Sequence, residues 1–302
     1  MANISPGKRF REAMAAALAA GAPLHVIGVG DGSDALEAEK AGFKAIYMSG
    51  SQMAASRGWA DIGRLELHHV VENVRRVMDS GTSLPVLVDI DTGFDDVAET
   101  IRTIEALGVA AVHLEDQEDL KACGHLPGKH VVSLDAATDR VARAVAAKKD
   151  PDFVMMARTD ALAVEGLDKT LERIAAYAAA GADMIFAEAF PDAATYAAVK
   201  QAAGGKPVLA NMTEFGKVDL QTPQELAKAS GGNIDIVLNP LSVYRGQRQT
   251  AAVMYKEIHD TGSQRDLVAR GLLQDRVYFQ TLIDYDGQVA ARADVVGKKK
   301  QA

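Results

Sequence analysis

The 302-residue chain is 48% hydrophobic and 25% charged, a composition typical of a soluble globular protein with a substantial buried core. Its net charge is −8, and the only basic run is Lys298–Lys300, so we expect no nucleic-acid-binding face. A single cysteine excludes an intrachain disulfide framework, and neither a signal-peptide core nor a run of about 18 apolar residues is present, so we expect a cytosolic protein that does not enter a membrane.

From residue 23 onward one pattern repeats: a short apolar run, a polar turn and a helical stretch that ends near a glycine. Near-continuous apolar runs are typical of parallel strands that are covered by helices. The predicted strands are Leu24–Val29, Ala45–Met48, Val86–Ile90, Ala110–Leu114, Phe153–Ala157, Met184–Ala187, Val208–Ala210 and Ile234–Leu238.

Amphipathic segments separate these runs and predict helices. Four of them are Asp96–Leu107, Leu134–Ala147, Leu167–Ala179 and Pro223–Ala229. Ser133 precedes its helix as an expected N-cap, and a glycine follows three helices as an expected C-cap. The three glycines are Gly42, Gly108 and Gly181.

Eight strand–helix units in about 240 residues predict a (β/α)₈ TIM barrel, with a doubly wound open sheet as the alternative. A further helical stretch, Gln264–Ala291, exceeds what a barrel needs. No interdomain linker is visible in the sequence. We therefore expect one domain over residues 1–302, with a barrel over about 23–262 and a C-terminal helical appendage over about 263–302.

Polar residues follow five consecutive predicted strands. Asp89 and Asp91 end one of them at positions i and i+2, which places both on one face of a strand. The next four strand ends carry Glu115 and Asp116, Arg158 and Asp160, Glu188, and then Asn211, Thr213 and Glu214. A single carboxylate after a strand is usually a solvated turn or a helix cap. Five consecutive polar strand ends are not explained by packing, and in a barrel they meet at the rim that carries the active site.

Paired carboxylates without nearby histidine ligands favour a hard cation that takes oxygen ligands, which indicates Mg²⁺ or Mn²⁺ rather than Zn²⁺. Asp89 and Asp91 suit that role, with Glu115 placed to hold a metal-bound water. Such a metal would bind an α-hydroxy carboxylate and stabilise the oxyanion that forms in a reaction.

The loop after the fourth predicted strand contains the only cysteine of the chain, Cys123, between Lys121 and His125. Cationic neighbours make a thiol a competent acid, base or nucleophile, whereas a lone cysteine is otherwise often a small buried hydrophobe. The glycine-rich, polar surroundings favour a loop that acts as a lid over the barrel mouth.

Taken together, several motifs resemble those of the isocitrate lyase/phosphoenolpyruvate mutase superfamily, with the 2-methylisocitrate lyases as the most similar branch. The resemblance covers about residues 5 to 265 and is specific as a set, because its motifs lie on many strands. The main motifs are Asp89-x-Asp91-x-Gly93-Phe94, Glu115-Asp-Gln followed by Lys121-x-Cys-Gly-His125, Met156-Ala-Arg-Thr-Asp160, Ala45-Ile-Tyr-Met-Ser-Gly50, Leu209-Ala-Asn-Met-Thr-Glu-Phe-Gly216 and Pro240-Leu-Ser-Val-Tyr-Arg245.

The resemblance implies a Mg²⁺-dependent TIM barrel whose last helix is exchanged between subunits, commonly in a homotetramer. It implies Mg²⁺ at Asp89 and Asp91, and a role near the reacting centre for Asp61. The implied substrate contacts are Ser49, Gly50, Ser51, Cys123, Gly124, Arg158, Glu188, Asn211, Thr213 and Arg245.

Four departures from the lyase pattern bear on substrate identity. Ala122 stands where these lyases carry Arg or Lys, and Ser51 stands where the branch usually has Gly. Asp95 and Asp96 follow Gly-Phe where Gly is common. By helix register, a substrate-binding Arg of the C-terminal segment falls on Gln274, although Arg276 lies close by. Loss of that guanidinium would weaken recognition of a third carboxylate.

We therefore hypothesise a lyase that cleaves 2-methylisocitrate to pyruvate and succinate, with Cys123 as general acid and with Lys121 and His125 tuning the thiol. The alternatives are a related enzyme that acts on dimethylmalate, isocitrate, oxaloacetate or a phosphonate, and a barrel that binds a metabolite without catalysis. The expected partners are a small carboxylic acid and further copies of the chain.

Overall fold

A computed structural model describes residues 4–118, 128–216 and 219–301. Within these ranges eight parallel strands form a closed barrel in sequence order, and β8 pairs with β1 to complete it. The strands are β1 (Leu24–Gly28), β2 (Ile46–Met48), β3 (Val86–Asp89), β4 (Ala111–Glu115), β5 (Val154–Thr159), β6 (Met184–Ala187), β7 (Val208–Asn211) and β8 (Ile236–Asn239). The TIM-barrel prediction is confirmed, and the open-sheet alternative is wrong because β1 and β8 pair in register from Leu24↔Ile236 onward.

Helices alternate with the strands and surround them, and a short 3₁₀ turn lies at Ala193–Thr195. The first seven are α1 (Pro6–Ala19), α2 (Gly32–Lys40), α3 (Gly50–Ala55), α4 (Leu67–Met78), α5 (Val97–Ala106), α6 (Leu134–Ala147) and α7 (Leu162–Glu165). The others are α8 (Leu167–Ala179), α9 (Tyr196–Ala202), α10 (Pro223–Ala229), α11 (Ser242–Thr261), α12 (Arg265–Ala269), α13 (Arg276–Leu282) and α14 (Tyr285–Gln301).

The predicted helix signals are present in the structure. Ser133 caps α6 by accepting a hydrogen bond from the backbone N–H of Ala136. Gly42, Gly108 and Gly181 all adopt positive φ angles just after their helices, a conformation that glycine adopts without steric cost. These four residues therefore mark the start of α6 and the ends of α2, α5 and α8, as predicted.

Neighbouring strand residues point alternately into the barrel and toward the helices. Val26 and Leu87 belong to one cluster of buried residues, whereas the next residues along, Ile27 and Val88, belong to a second, larger cluster. The first cluster fills the barrel interior and the second lies between strands and helices, as expected for parallel strands buried on both faces.

Helix α1 closes the end of the barrel at which the strands begin. Phe10 is fully buried with the interior cluster. A Cβ on Gly7 would lie 2.3 Å from the carbonyl oxygen of Asp152, so only glycine lets α1 approach this closely. Arg11 then donates to Asp183 at 2.7 Å. The opposite end, where the strands finish, remains for the active site.

Of the C-terminal helices, α11 and α13 pack only loosely on the barrel, whereas α12 buries Leu267 completely. None of the residues of α11 or α13 is buried against the described part of the chain. Glu37 of α2 holds α13 by accepting hydrogen bonds from Gln274 and Tyr278, both at 2.7 Å. The helical appendage is thus present, while the division into one domain remains a prediction. Within the described ranges, no helix has the length and apolarity that crossing a bilayer requires.

Candidate active site

Asp89 and Asp91 are both buried at the end of β3 and their carboxylates converge. A Cβ built on Gly50, at the start of α3, would lie 2.9 Å from Asp89 Oδ2 and 2.9 Å from Asp91 Oδ1. The absence of a side chain at Gly50 therefore leaves one small space that oxygens of both carboxylates border.

The prediction that Asp89 and Asp91 share one face of a strand is wrong. Strand β3 ends at Asp89, and Asp91 has a left-handed backbone with φ 48°. The two side chains are brought together by a turn, in which the N–H of Asp91 donates to Asp89 Oδ1 at 3.0 Å, rather than by strand alternation.

Asp89 is oriented by neighbours on two other strands. The backbone N–H of Gly50 donates to Asp89 Oδ2 at 2.9 Å, and the hydroxyl of Tyr47 donates to the same oxygen at 3.3 Å. Tyr47 also bonds His113 Nε2 at 2.9 Å, and that nitrogen lies 3.6 Å from Asp89 Oδ1. We did not single out Tyr47 or His113 from the sequence. The signal was available, because each lies two residues before a predicted site residue, Ser49 or Glu115, and so shares its face.

A second group surrounds the guanidinium of Arg158 at the end of β5. Arg158 Nε lies 2.8 Å from Asp160 and 3.4 Å from Glu115, and NH2 lies 3.5 Å from Glu188. Burial opposes the charge of the guanidinium, but the three carboxylates outweigh it and raise the pKa of Arg158 above its ordinary value. Arg158 is therefore a permanent cation among acidic groups. Asn211 joins this group through Glu188, at 3.3 Å.

Arg245 belongs to a third, more exposed group at the start of α11. Its Nε lies 3.8 Å from Glu214 Oε2, and its guanidinium stacks 5.4 Å from the ring centre of Phe215. Ser242 donates a hydrogen bond to the other oxygen of Glu214. Arg245 is thus held near the barrel rim by the turn that follows β7.

The remaining predicted residues divide into described and undescribed ones. Ser49 and Thr213 are buried, and Ser51 and Asp61 are half-buried. Asp61 lies in the segment between α3 and α4, and its role near the reacting centre stays a prediction. Lys121, Cys123, Gly124 and His125, with Ala122, lie outside the described residues.

The two stems of the chain that flank residues 119–127 pair with each other. Gln117 and Val131 form an antiparallel bridge, and the N–H of Val132 donates to the carbonyl of Asp116 at 2.9 Å. Arg140 of α6 donates to the carbonyls of Glu115 and Gln117. The two described stems therefore meet directly beside Glu115.

The donor set at Asp89 and Asp91 fits a hard divalent cation. The two carboxylates border one space, and Glu115 is also buried on the adjacent strand. Hard cations such as Mg²⁺ take oxygen ligands, usually one or two carboxylates with water completing the shell. The residues present are those that such a cation needs.

A different set, Glu66, His68 and His69, offers ligand atoms within 4.8 Å of one another. Nδ1 of His69 accepts the backbone N–H of Glu66 at 3.0 Å, so its lone pair already serves the first turn of α4. His68 Nδ1 lies 3.2 Å from Glu66 Oε2, and both side chains are about two-thirds exposed or more. We interpret this exposed set as a helix cap rather than as the metal centre.

A cleft of about 1010 Å³ runs between α4 and α5. Among the described residues, it reaches the candidate site only through Asp91, Thr92 and the turn that follows them. The cleft therefore lies outside the barrel, beside the candidate site rather than over it.

Comparison with known proteins agrees with this geometry. Residues 14–239 match the family model described as phosphoenolpyruvate phosphomutase. A 2-methylisocitrate lyase of Shewanella oneidensis is 47% identical over 268 residues, which are 87% of this chain and 89% of that protein. A 2-methylisocitrate lyase of Escherichia coli is 43% identical, with 91% of each chain covered.

Solved structures share the fold. A crystal structure of 2,3-dimethylmalate lyase, described as a member of the PEP mutase/isocitrate lyase superfamily, is 30% identical with a TM-score of 0.85, covering 97% of this chain and 96% of that one. Phosphonopyruvate hydrolase, solved with oxalate and Mg²⁺, is 26% identical with a TM-score of 0.78, covering 96% and 98%. On the matched residues 14–239, which span nearly the whole barrel, this chain belongs to the phosphoenolpyruvate phosphomutase family.

Proposed function

We propose that this protein is a carbon–carbon lyase that cleaves 2-methylisocitrate to pyruvate and succinate in the cytosol. The observation that carries the proposal is the pair of buried carboxylates that share the space at Gly50, on the same rim as the carboxylate-ringed Arg158. The 2-methylisocitrate lyases that are 47% and 43% identical to this chain supply the choice of substrate.

The cofactor we propose is Mg²⁺, for which Mn²⁺ could substitute. Asp89 and Asp91 would hold the ion directly, and Glu115 would hold it through a water molecule. When bound, the ion supplies positive charge that stabilises negative charge developing on the oxygens of an α-hydroxy acid. The Mg²⁺ in the solved phosphonopyruvate hydrolase supports this choice of metal within the family.

The chain's own residues would bind and orient the substrate. Arg158 would pair with one carboxylate through the nitrogen that its protein partners leave open. Arg245 would bind the succinyl part, together with Asn211 and Thr213. The first turn of α3 would contact the pyruvyl part through Ser49, Gly50 and Ser51, whereas Glu188 holds both Arg158 and Asn211 in place.

The reaction breaks the bond between the carbon that bears the hydroxyl group and its succinyl neighbour. A base takes the hydroxyl proton, the carbonyl of pyruvate forms, and the electron pair of the broken bond remains on the succinyl carbon. Cys123 would donate its thiol proton to that carbon, with Lys121, Gly124 and His125 around it. Asp61 would lie near the reacting centre. These assignments to residues 121–125 rest on the family resemblance, because those residues lie outside the described ranges.

We also propose that the protein is a homotetramer. Apolar side chains remain exposed along the C-terminal helices, including Val253, Tyr255, Val277 and Val289. Exposed apolar surface of this kind marks protein–protein contacts. Exchange of the last helix between subunits would cover it, and sedimentation equilibrium would report the mass of the assembly.

A second candidate is a related lyase that acts on a shorter acid, with 2,3-dimethylmalate first. The observation that favours it is that Gln274, on which the resemblance places a substrate-binding Arg, donates to Glu37 of α2 at 2.7 Å. A site without that guanidinium recognises a third carboxylate less well. The solved 2,3-dimethylmalate lyase, with a TM-score of 0.85, has a similar fold.

The decisive experiment measures pyruvate release from racemic 2-methylisocitrate with Mg²⁺, with EDTA and Cys123→Ser as controls. Turnover that EDTA and the Cys123 change both abolish would support the lyase and its acid. A folded, Mg²⁺-binding protein that releases no pyruvate would contradict the 2-methylisocitrate assignment, and 2,3-dimethylmalate and oxaloacetate would then be assayed. Failure to bind Mg²⁺ and to turn over any of these acids would favour a non-catalytic barrel.

A further inference from the structure

Asp160 is fully buried at the barrel rim and holds two cations at once. Its Oδ2 accepts a hydrogen bond from Arg158 Nε at 2.8 Å, and its Oδ1 accepts one from Arg158 NH2 at 3.3 Å. The same Oδ1 lies 3.1 Å from the ammonium of Lys129, whose side chain is only 2% exposed. One carboxylate therefore bridges a guanidinium and a lysine away from bulk water.

This arrangement leaves one edge of Arg158 open. Asp160 occupies the Nε and NH2 edge, and Glu115 and Glu188 approach those same two nitrogens at 3.4 and 3.5 Å. NH1 makes no hydrogen bond with any residue in the described ranges. The guanidinium also lies 5.1 Å from the ring centre of Phe186, which restricts its plane. Arg158 thus presents NH1 for a ligand.

A hydrogen bond to Asp116 holds the backbone of Asp160 in place. Its backbone N–H donates to Asp116 Oδ1 at 2.9 Å, and Asp116 Oδ2 accepts from Thr159 at 2.7 Å and from Tyr177 at 2.8 Å. Burial, and then the charge of Asp160, raise the pKa of Asp116 above its ordinary value. The rigid elements β4, β5 and α8 therefore all determine where Asp160 lies.

We propose that Asp160 is a positioning residue that turns Arg158 so that NH1 faces a substrate carboxylate, and that Lys129 keeps Asp160 in place. Without Asp160, the nearest anions for Arg158 are Glu115 and Glu188, and the guanidinium would turn toward them and away from the substrate. The role assigned to Arg158 rests on the proposed function, whereas its orientation by Asp160 does not.

The chain offers a matched control for this role. Asp183 also holds an arginine and a lysine, with Arg11 and Lys148 both at 2.7 Å, but it lies at the opposite end of the barrel. Asp160→Asn and Asp183→Asn therefore each remove one carboxylate charge from between two cations. Only Asp160→Asn lies beside Arg158. A general loss of stability would affect both variants, whereas a loss of Arg158 orientation would affect Asp160→Asn alone.

The test compares KM, kcat and melting temperature of wild type, Asp160→Asn and Asp183→Asn with 2-methylisocitrate. We expect KM to rise at least about tenfold in Asp160→Asn, because a misaligned guanidinium binds its carboxylate poorly, with a smaller change in kcat. Asp183→Asn should keep both constants within about twofold of wild type. An unchanged KM in Asp160→Asn, or an equal rise in both variants, would overturn the proposal.

Two further measurements separate this proposal from the proposed function. Calorimetric titration with oxalate in the presence of Mg²⁺ measures carboxylate binding without turnover, and crystal structures of wild type and Asp160→Asn report the direction of NH1. If wild type does not cleave 2-methylisocitrate, weaker oxalate binding with a turned guanidinium still supports the positioning role, and an unmoved guanidinium refutes it. If Asp160→Asn does not fold, Lys129→Met is tested instead. We expect a smaller rise in KM for that variant, and an unchanged KM would contradict the proposal.

Discussion

Gly50→Ala is the sharpest test of the metal site, because it adds one methyl group where two carboxylates converge. The new Cβ would lie 2.9 Å from oxygens of both Asp89 and Asp91, and 3.2 Å from Asp89 Cγ. Non-bonded carbons normally keep about 3.5 Å from their neighbours, so each carboxylate would have to move by roughly half an ångström. Asp89 cannot move freely, since Gly50 N–H and Tyr47 both bond it.

The expected result is a fall in Mg²⁺ affinity of about 10- to 100-fold, which is the usual effect of disturbing groups that orient metal ligands. This corresponds to about 1.4–2.8 kcal/mol of binding free energy. The backbone should tolerate the change, because Gly50 begins α3 and does not have a positive φ. The fold and melting temperature should therefore be retained while pyruvate release falls.

Calorimetric Mg²⁺ titration checks this prediction, with Gly246→Ala as control. A Cβ on Gly246, inside α11, would have no atom within 4 Å, so that variant should bind Mg²⁺ like wild type and gain up to about 1 kcal/mol of stability from helix propensity. Wild-type Mg²⁺ affinity in Gly50→Ala would show that the cation does not bind between Asp89 and Asp91.

Two further predictions concern stability. Arg173 donates two hydrogen bonds to Glu165, at 2.7 and 2.8 Å, and thereby lowers the pKa of that carboxyl. The pair therefore stabilises the fold at pH values above the ordinary pKa of glutamate, and this stabilisation is lost as the pH falls through the lowered pKa. Urea unfolding should show Glu165→Gln less stable by about 1 kcal/mol at pH 7 and equal to wild type near pH 3, and a gap that persists in acid would contradict this. Gly28→Ala would place a Cβ 1.8 Å from the carbonyl oxygen of Pro240, so the backbone must shift where β1 meets β8. We expect the free energy of unfolding in the same assay to fall by about 3 kcal/mol or more. A stability near that of wild type would refute this reasoning.

The barrel was predictable because each strand is buried on both faces, and so appears as a continuous apolar run. The predicted ends were less accurate where a strand carries site residues. β4 was expected to stop at Leu114 and β5 at Ala157, but the strands continue to Glu115 and Thr159. The apolar run of each strand ends before its polar site residues, whereas the backbone hydrogen bonding between the two strands continues to the pair Glu115 and Arg158. An apolar criterion therefore truncates strands at functional sites.

The candidate residues at the rim were predictable as a set, but their partners were not. Polar residues after strands identify Glu115, Arg158 and Glu188, since all parallel strands finish at one end of the barrel. The bridge from Asp160 to Lys129 spans 31 positions of sequence and depends on how the stems beside β4 return to the barrel. No local pattern encodes that return, so the partner of a buried charge emerges only in three dimensions.

The turn after β3 shows why the carboxylate pair and its backbone belong together. Asp91 and Phe94 both have positive φ angles, which are unfavourable by about 1 kcal/mol or more for residues with a side chain, and Gly93 between them is positive as well. The turn is retained because Gly93 N–H bonds the carbonyl of Ile90 and Glu115 N–H bonds that of Asp91, both at 2.9 Å. It holds the anionic Asp91 against Asp89, where like charges repel. The divalent cation that we propose at this site would offset that repulsion, so its binding would also stabilise the strained turn.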